Sequence, residues 1–128
     1  PGELERFLLP LTAAGVDMFH CSQRRFWDAE FDGSPLNLAG WTKKLTGKPT
    51  ITVGSVTLNE EFTTTFRTDE GAAITGIDEL IERLERGEFD LVAVGRSLIV
   101  NPDWPLLVRR GAIDALKPFQ RDVLKELV

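Results

Sequence analysis

Three times along this chain an apolar stripe at helical spacing runs into a glycine, and a short apolar or β-branched run follows. The first stripe, Leu4, Phe7, Leu8 and Leu11, covers residues 3–14, should face a sheet, and stops at Gly15; residues 16–21 then read as a strand. Pro10 lies inside the stripe, where it either bends the helix or opens a second short one. The second stripe, Leu38, Trp41 and Leu45, has Asn37 as its N-cap, Lys43 and Lys44 in its last turn and Gly47 beyond it, ahead of a strand at 51–53. The third, Ile77, Leu80, Ile81 and Leu84, is entered through a capping-box pattern at Thr75 to Asp78, closes at Gly87 and leads into a strand at 91–94. Such alternation is the pattern of parallel strands covered by helices and joined by right-handed crossovers, so the fold class is α/β.

Two long connections interrupt it. Residues 22–35 form a polar and aromatic loop, and residues 57–74, rich in Thr, Asp and Glu, show no apolar period, which marks a functional lid or a mobile segment. Helices are expected at the end of the chain: 102–110, closed by Gly111, then 117–127 with Phe119, Val123, Leu124 and Leu127 on its buried face. With 128 residues the chain reads as one domain, 1–128, well short of the roughly 250 residues of a complete (β/α)8 barrel.

Two of the strands end alike. Thr50-Ile-Thr-Val meets Gly54-Ser55, and Leu91-Val-Ala-Val meets Gly95-Arg96. A glycine just past a strand lets backbone approach a ligand closely, amides at the start of a short helix point toward it, and Arg96 adds a fixed positive charge. Matched ends of this kind suit an anion, and in a (β/α)8 barrel a phosphate site is commonly built from the loops after the last two strands. The alternative is that Gly54 and Gly95 simply terminate two buried strands. The residues alone leave both readings open.

Composition removes several other functions. A net charge of −5 with no basic stripe argues against nonspecific nucleic-acid binding. One cysteine, Cys21, excludes an internal disulfide and a cysteine-built metal site, and one histidine with no tyrosine excludes catalysis by a tyrosine or a histidine pair within the chain. No apolar run approaches the ~20 residues of a membrane span, no signal peptide is visible, and a reduced, cytoplasmic setting is the expectation. His20 and Cys21 are neighbours on a strand and so point to opposite faces, as packing or hydrogen-bonded residues rather than metal ligands or catalytic groups. Trp41 reads as core, Trp104 as filling the junction behind the second strand end, and Glu79, Glu82 and Glu85 as a solvated helix face.

Beyond these local signals, residues 15–27 (Gly-Val-Asp-Met-Phe-His-Cys-Ser-Gln-Arg-Arg-Phe-Trp), 36–56 (from Leu-Asn-Leu-Ala-Gly-Trp to Thr-Val-Gly-Ser-Val) and 94–104 (Val-Gly-Arg-Ser-Leu-Ile-Val-Asn-Pro-Asp-Trp) resemble, in order and spacing, the last three strands of Old Yellow Enzyme type NADH:flavin oxidoreductases. The resemblance implies the C-terminal portion of an FMN-binding TIM (β/α)8 barrel, about three parallel strands with covering helices and a C-terminal helix. It implies that Gly54, Ser55, Gly95 and Arg96 hold the FMN phosphate. It also implies NADH or NADPH as reductant and an activated alkene or similar acceptor in the parent enzyme.

The family's substrate-binding His-His or His-Asn pair, its proton-donating Tyr, and the Gln and Arg that contact the flavin ring lie on earlier strands. The resemblance therefore assigns no catalytic residue to this chain, which alone is expected to be inactive. Arg24, Arg25, Phe26 and Trp27 open the loop after the first strand. Arg25, Phe26 and Trp27 are candidates for a substrate-limiting wall; alternatively Phe26 and Trp27 pack the loop down while the arginines make surface ion pairs.

Three parallel strands from a closed barrel leave two open edges and an apolar inner face, so self-association is expected. A non-catalytic part-barrel that self-associates or complements a partner chain is the rival function. A third possibility is another phosphate-binding (β/α)8 enzyme acting on a sugar or nucleotide phosphate.

Overall fold

The computed structural model describes residues 1–68 and 71–126. Its elements follow the alternation: α1 (Gly2–Ala13), β1 (Phe19–Ser22), α2 (Leu38–Thr46), β2 (Thr50–Val53), α3 (Phe62–Arg67), α4 (Asp78–Glu85), β3 (Leu91–Val92), α5 (Arg96–Val100) and α6 (Trp104–Arg109), with 3-10 turns at Ile113–Ala115 and Arg121–Glu126. Among the described residues no helix is long and apolar enough to cross a membrane.

The sheet is parallel and in chain order, β1-β2-β3, with Phe19 opposite Thr50 and Ile51 opposite Leu91. The two crossovers, β1 to β2 and β2 to β3, run through α2 and α4. Side chains from both (Ala39 and Leu80) share one apolar cluster with Cys21, Phe26, Val56 and Phe89. Val92 and Val94 pack against the same cluster, so the helices cover one face of the sheet. Phe89 lies at its centre, and burying one such ring contributes about 1.5–3 kcal/mol.

Because side chains alternate along a strand, the residues between these point the other way. His20, Ile51 and Leu91 form one row across the sheet and Ser22 and Val53 begin the next. His20 and Ser22 are exposed, Ile51 and Val53 half-buried, and Leu91 is 49% exposed. The structure thus has one covered and one uncovered sheet face, and among the described residues no strand pairs with the outer edge of β1 or of β3.

Helix α2 follows its local signals: the Asn37 side chain accepts from the Gly40 amide at 2.9 Å, and Gly47 closes the helix in the left-handed conformation at φ 68°. Asn37 also donates to Phe26 O (2.8 Å) and to Thr52 Oγ1 (3.1 Å), so one buried side chain caps the helix and ties it to β2 and to the loop after β1. Asp90 does the same between strands. Its carboxylate accepts from Lys43 Nζ (2.8 Å) and the Thr50 amide (2.9 Å), and its pKa is lowered chiefly by the Lys43 hydrogen bond.

Four expectations are corrected. The first stripe does not face the sheet: α1 runs unbroken through Pro10 and packs on α2, burying Leu8 while Phe7 stays 65% exposed, because α1 stands beside the open edge of β1. The described residues of 57–74 are not an irregular loop. They hold α3, capped by the Glu61 carboxylate through the Thr63 and Thr64 amides, and are pinned by antiparallel bridges Leu58 to Ile74 and Ala72 to Phe119. No capping box forms at Thr75: α4 starts at Asp78 without a side-chain cap, and it buries Leu80 and Arg83 while Ile81 and Leu84 are partly exposed.

Finally, the helix expected over 117–127 does not form in its described part, residues 117–126. Pro118 biases Lys117 away from helical backbone, and Phe119 instead exchanges two backbone bonds with Ala72 (2.9 and 3.0 Å) and is fully buried. Val123 and Leu124 are half-buried in a 3-10 turn; Leu127 lies outside the described residues.

Candidate anion-binding cleft

Parallel pairing of β2 with β3 sets their C-terminal ends side by side, so Gly54-Ser55 and Gly95-Arg96 meet at one end of the uncovered face. A cleft of about 320 Å³ opens there, lined by Gly54, Ser55, Gly95 and Arg96, with Val53, Ala93, Leu58, Phe62 and Ile99 as its apolar wall and Arg24 on its rim. Two arginines and no carboxylate line it, in a chain whose net charge is −5. Among the described residues the amides of Gly54, Ser55, Gly95 and Arg96 donate to no protein acceptor. These unpaired donors and the arginines give the cleft groups able to receive an anion, although the Glu60 and Glu61 carboxylates also act on Arg96.

The two glycines serve different ends. A Cβ on Gly54 would lie 2.6 Å from Gln23 O and 3.0 Å from the Arg25 and Phe26 amide nitrogens, and its φ is 152°. Gly54 is therefore required by the loop after β1, which lies directly against it. A Cβ on Gly95 would meet nothing within 4 Å, so there the absent side chain leaves space open at the cleft.

Ser55 and Thr57 have positive φ values (49° and 58°), which cost energy in non-glycine residues and persist where the surroundings over-determine them. At Thr57 the surroundings are a buried relay. Trp104 Nε1 donates to Thr57 Oγ1 (3.1 Å), Thr57 to Ser97 Oγ (2.8 Å), and Ser97 to Val56 O (2.8 Å). Trp104 thus locks the start of α5 to the turn after β2.

Arg96 is half-buried and firmly held. It donates to Thr65 Oγ1 (2.9 Å), Ser55 Oγ (3.2 Å) and Glu60 O (2.6 Å), using three of a guanidinium's five donors. Burial lowers its pKa, offset in part by the nearby Glu61 and Glu60 carboxylates; an arginine remains a cation under such a shift. The Ser55 hydroxyl lies near Arg24 O (3.0 Å) and Glu60 O (2.9 Å), so what it offers an anion is its amide. The Glu61 carboxylate is held down at about 2, first by the Thr63 hydroxyl and then by the other donors of its cap, and stays an anion occupied with α3.

The three wall candidates lie elsewhere. Phe26 is 4% exposed, in the core, edge-to-face with Trp27 at 5.0 Å. Both line a separate pocket with Asn59, Thr75, Gly76 and Glu79. Arg25 makes long ion pairs with Asp28 (3.8 Å) and Glu60 (3.9 Å). Cys21 is buried, which raises its thiol pKa, and His20 is exposed on the opposite face. Trp41 is buried with Lys44 over its ring at 4.5 Å. Among the described residues no His, Cys, Asp and Glu group forms a metal site.

Sequence reasoning missed Thr65, Phe62 and the Thr57–Ser97–Trp104 relay. Only the Phe62/Phe66 spacing, one helical turn apart, signalled α3.

No family model matches the chain, and no curated protein matches it. The geometry of the cleft and the uncovered sheet face carry the functional reading.

Proposed function

We propose that this chain is the part of an FMN-dependent NAD(P)H:flavin oxidoreductase of the Old Yellow Enzyme type that grips the cofactor phosphate, built as the last three βα units of a (β/α)8 barrel. The observation that carries the reading is the pair of adjacent parallel strand ends, Gly54-Ser55 and Gly95-Arg96, whose amides have no acceptor among the described residues and which together line a cleft with no carboxylate in its lining. A phosphate fits this donor set. Bound FMN would supply the hydride chemistry. The chain's own work is binding and orientation: amides and the Arg96 guanidinium fix the phosphate, and Phe62, Leu58 and Ile99 offer an apolar wall beside it. Reduction of an activated alkene by NADH or NADPH would need groups this chain does not supply. The singly wound sheet supports the barrel origin, since a doubly wound sheet carries helices on both faces.

Visible flavin absorbance on protein purified with FMN tests the reading directly. Arg96→Gln should weaken inorganic phosphate binding about 10- to 100-fold, since hydrogen bonds to charged groups are worth about 1.5–3 kcal/mol. Titration followed by amide chemical shifts measures it, with a thermal melt to separate lost affinity from lost fold. Unchanged affinity in that variant would remove Arg96 from the site.

The same uncovered face supports a second reading, a non-catalytic part-barrel that pairs with another chain. Leu91 lies open on it beside the half-buried Ile51, and a groove of about 210 Å³, lined by Leu4, Phe7, Phe19 and His20, follows the free edge of β1. Exposed parallel edges recruit strands. Sedimentation at micromolar concentration should show dimers or larger species. A clean monomer would count against this reading, and recovery of flavin colour on co-expression with the preceding strands would join the two.

A further inference from the structure

The cleft is built from three strand ends rather than two. The chain leaving β1 runs against the turn after β2: Phe26 N donates to Gly54 O (3.1 Å), Gln23 N to Val53 O (3.2 Å), and the Ser55 hydroxyl lies 3.0 Å from Arg24 O. These contacts fix the Arg24 backbone beside the phosphate turn while its side chain stays exposed on the cleft rim. The two arginines of this loop differ in what they meet. Arg25 faces Asp28 and Glu60, whereas among the described residues Arg24 has no acidic partner. The nearby Glu61 carboxylate is occupied by its own helix cap.

We infer that Arg24 is a second anion-binding cation of this cleft, matched with Arg96 to the two negative charges of a phosphate monoester. This rests on the phosphate reading and extends it. Arg96, held by Thr65, Ser55 and Glu60, supplies directional hydrogen bonds at the floor. Arg24, solvated and unpaired, supplies charge from the rim. The site then distinguishes a monoester, with close to two charges above pH 7, from a diester of the same size carrying one. An exposed cation acts through a screened field, so its contribution falls with ionic strength, while that of the half-buried Arg96 persists.

The probes are phenyl phosphate and methyl phenyl phosphate, which share the ring and differ by one charge, titrated into the full chain at pH 8. Arg24→Gln should weaken phenyl phosphate about three- to tenfold at an ionic strength of about 0.01 M, with little effect near 1 M, where the screening length has fallen to about 3 Å. Its effect on the diester should be smaller. Arg24→Lys, which keeps the charge, should hold the monoester affinity near wild type, and both variants should melt like wild type because the side chain is exposed. Arg24→Gln indistinguishable from wild type while Arg96→Gln weakens binding would overturn the role of Arg24 and leave the phosphate reading intact. Equal losses for monoester and diester, or equal losses in the Lys and Gln variants, would also overturn it. Absence of phenyl phosphate binding by the wild-type chain would overturn both.

Discussion

Gly54→Ala is expected to destabilise the fold by about 2–5 kcal/mol, the sum of an over-packing cost and a backbone conformation that side-chain-bearing residues rarely adopt. The Cβ would sit 2.6 Å from Gln23 O, and the atoms around it are backbone, which cannot swing aside like a flexible side chain. The strain has two outlets. Either the 23–26 loop lifts away from the turn, breaking the Phe26 to Gly54 bond (3.1 Å), or β2 is displaced at its end. Both distort the cleft, so phosphate affinity should fall along with the denaturation midpoint. Gly95→Ala is the control, because its Cβ meets nothing within 4 Å. Without that clash it should lose clearly less than Gly54→Ala, the remaining cost coming from its own backbone conformation (φ −100°, ψ −100°). Urea denaturation of the two variants checks the contrast, and equal stabilities would mean that the β1 loop does not rest on Gly54.

That contrast also shows what the sequence could and could not disclose. Gly54 and Gly95 look alike as letters at the ends of apolar runs, and only the position of the Gln23 carbonyl separates a packing glycine from an open one. Where the determinants are local, the reading holds. Asn37, Lys43 and Gly47 each act within one helical turn, and α2 forms between them. The parallel sheet follows from alternation and crossover handedness, which need no long-range detail.

It fails where partners are distant. Phe119 reads as one position on a helical stripe, but Ala72, forty-seven residues earlier by number, takes both its backbone groups. Arg24 and Arg25 are indistinguishable in sequence; Asp28 and Glu60 engage one, and the cleft rim holds the other. Residues 57–74 carry too few apolar positions to show a period. What organises them is the Glu61 cap, the bridge at Leu58 and Ile74, and Arg96 reaching across to Thr65.

The other large effect is expected at Arg83. Arg83→Met should cost about 3–5 kcal/mol, the range for removing one partner of a buried ion pair. Arg83 lies on α4 with its side chain 9% accessible. It reaches Glu79 Oε1 (2.9 Å), Trp27 O (3.2 Å), Pro35 O (3.3 Å) and, at 3.6 Å, Glu88 Oε2, an oxygen with no hydrogen bond of its own. Methionine fills comparable volume but leaves two loop carbonyls and a largely buried carboxylate without this donor; Glu88 keeps Arg86 at 2.8 Å on its other oxygen. Lysine should rescue little, because a single ammonium cannot reproduce the planar fork that meets both carbonyls. If the cost arises from the stranded charge, Glu88→Gln added to Arg83→Met should lose less than the sum of the two single changes, a coupling that a double-mutant cycle reads directly. The two carbonyls flank residues 28–34, the far part of the loop after β1, whereas the Arg24 end is held separately on the turn after β2 by Phe26 N to Gly54 O and Gln23 N to Val53 O. Freeing both carbonyls loosens that far part of the loop, and under native conditions Arg83→Met should lower stability while phosphate affinity stays near wild type, since neither Trp27 nor Pro35 lines the cleft. A loss below about 1 kcal/mol, the ordinary value for a point substitution, would show instead that Asn37 and Gly54 hold that loop without help from α4.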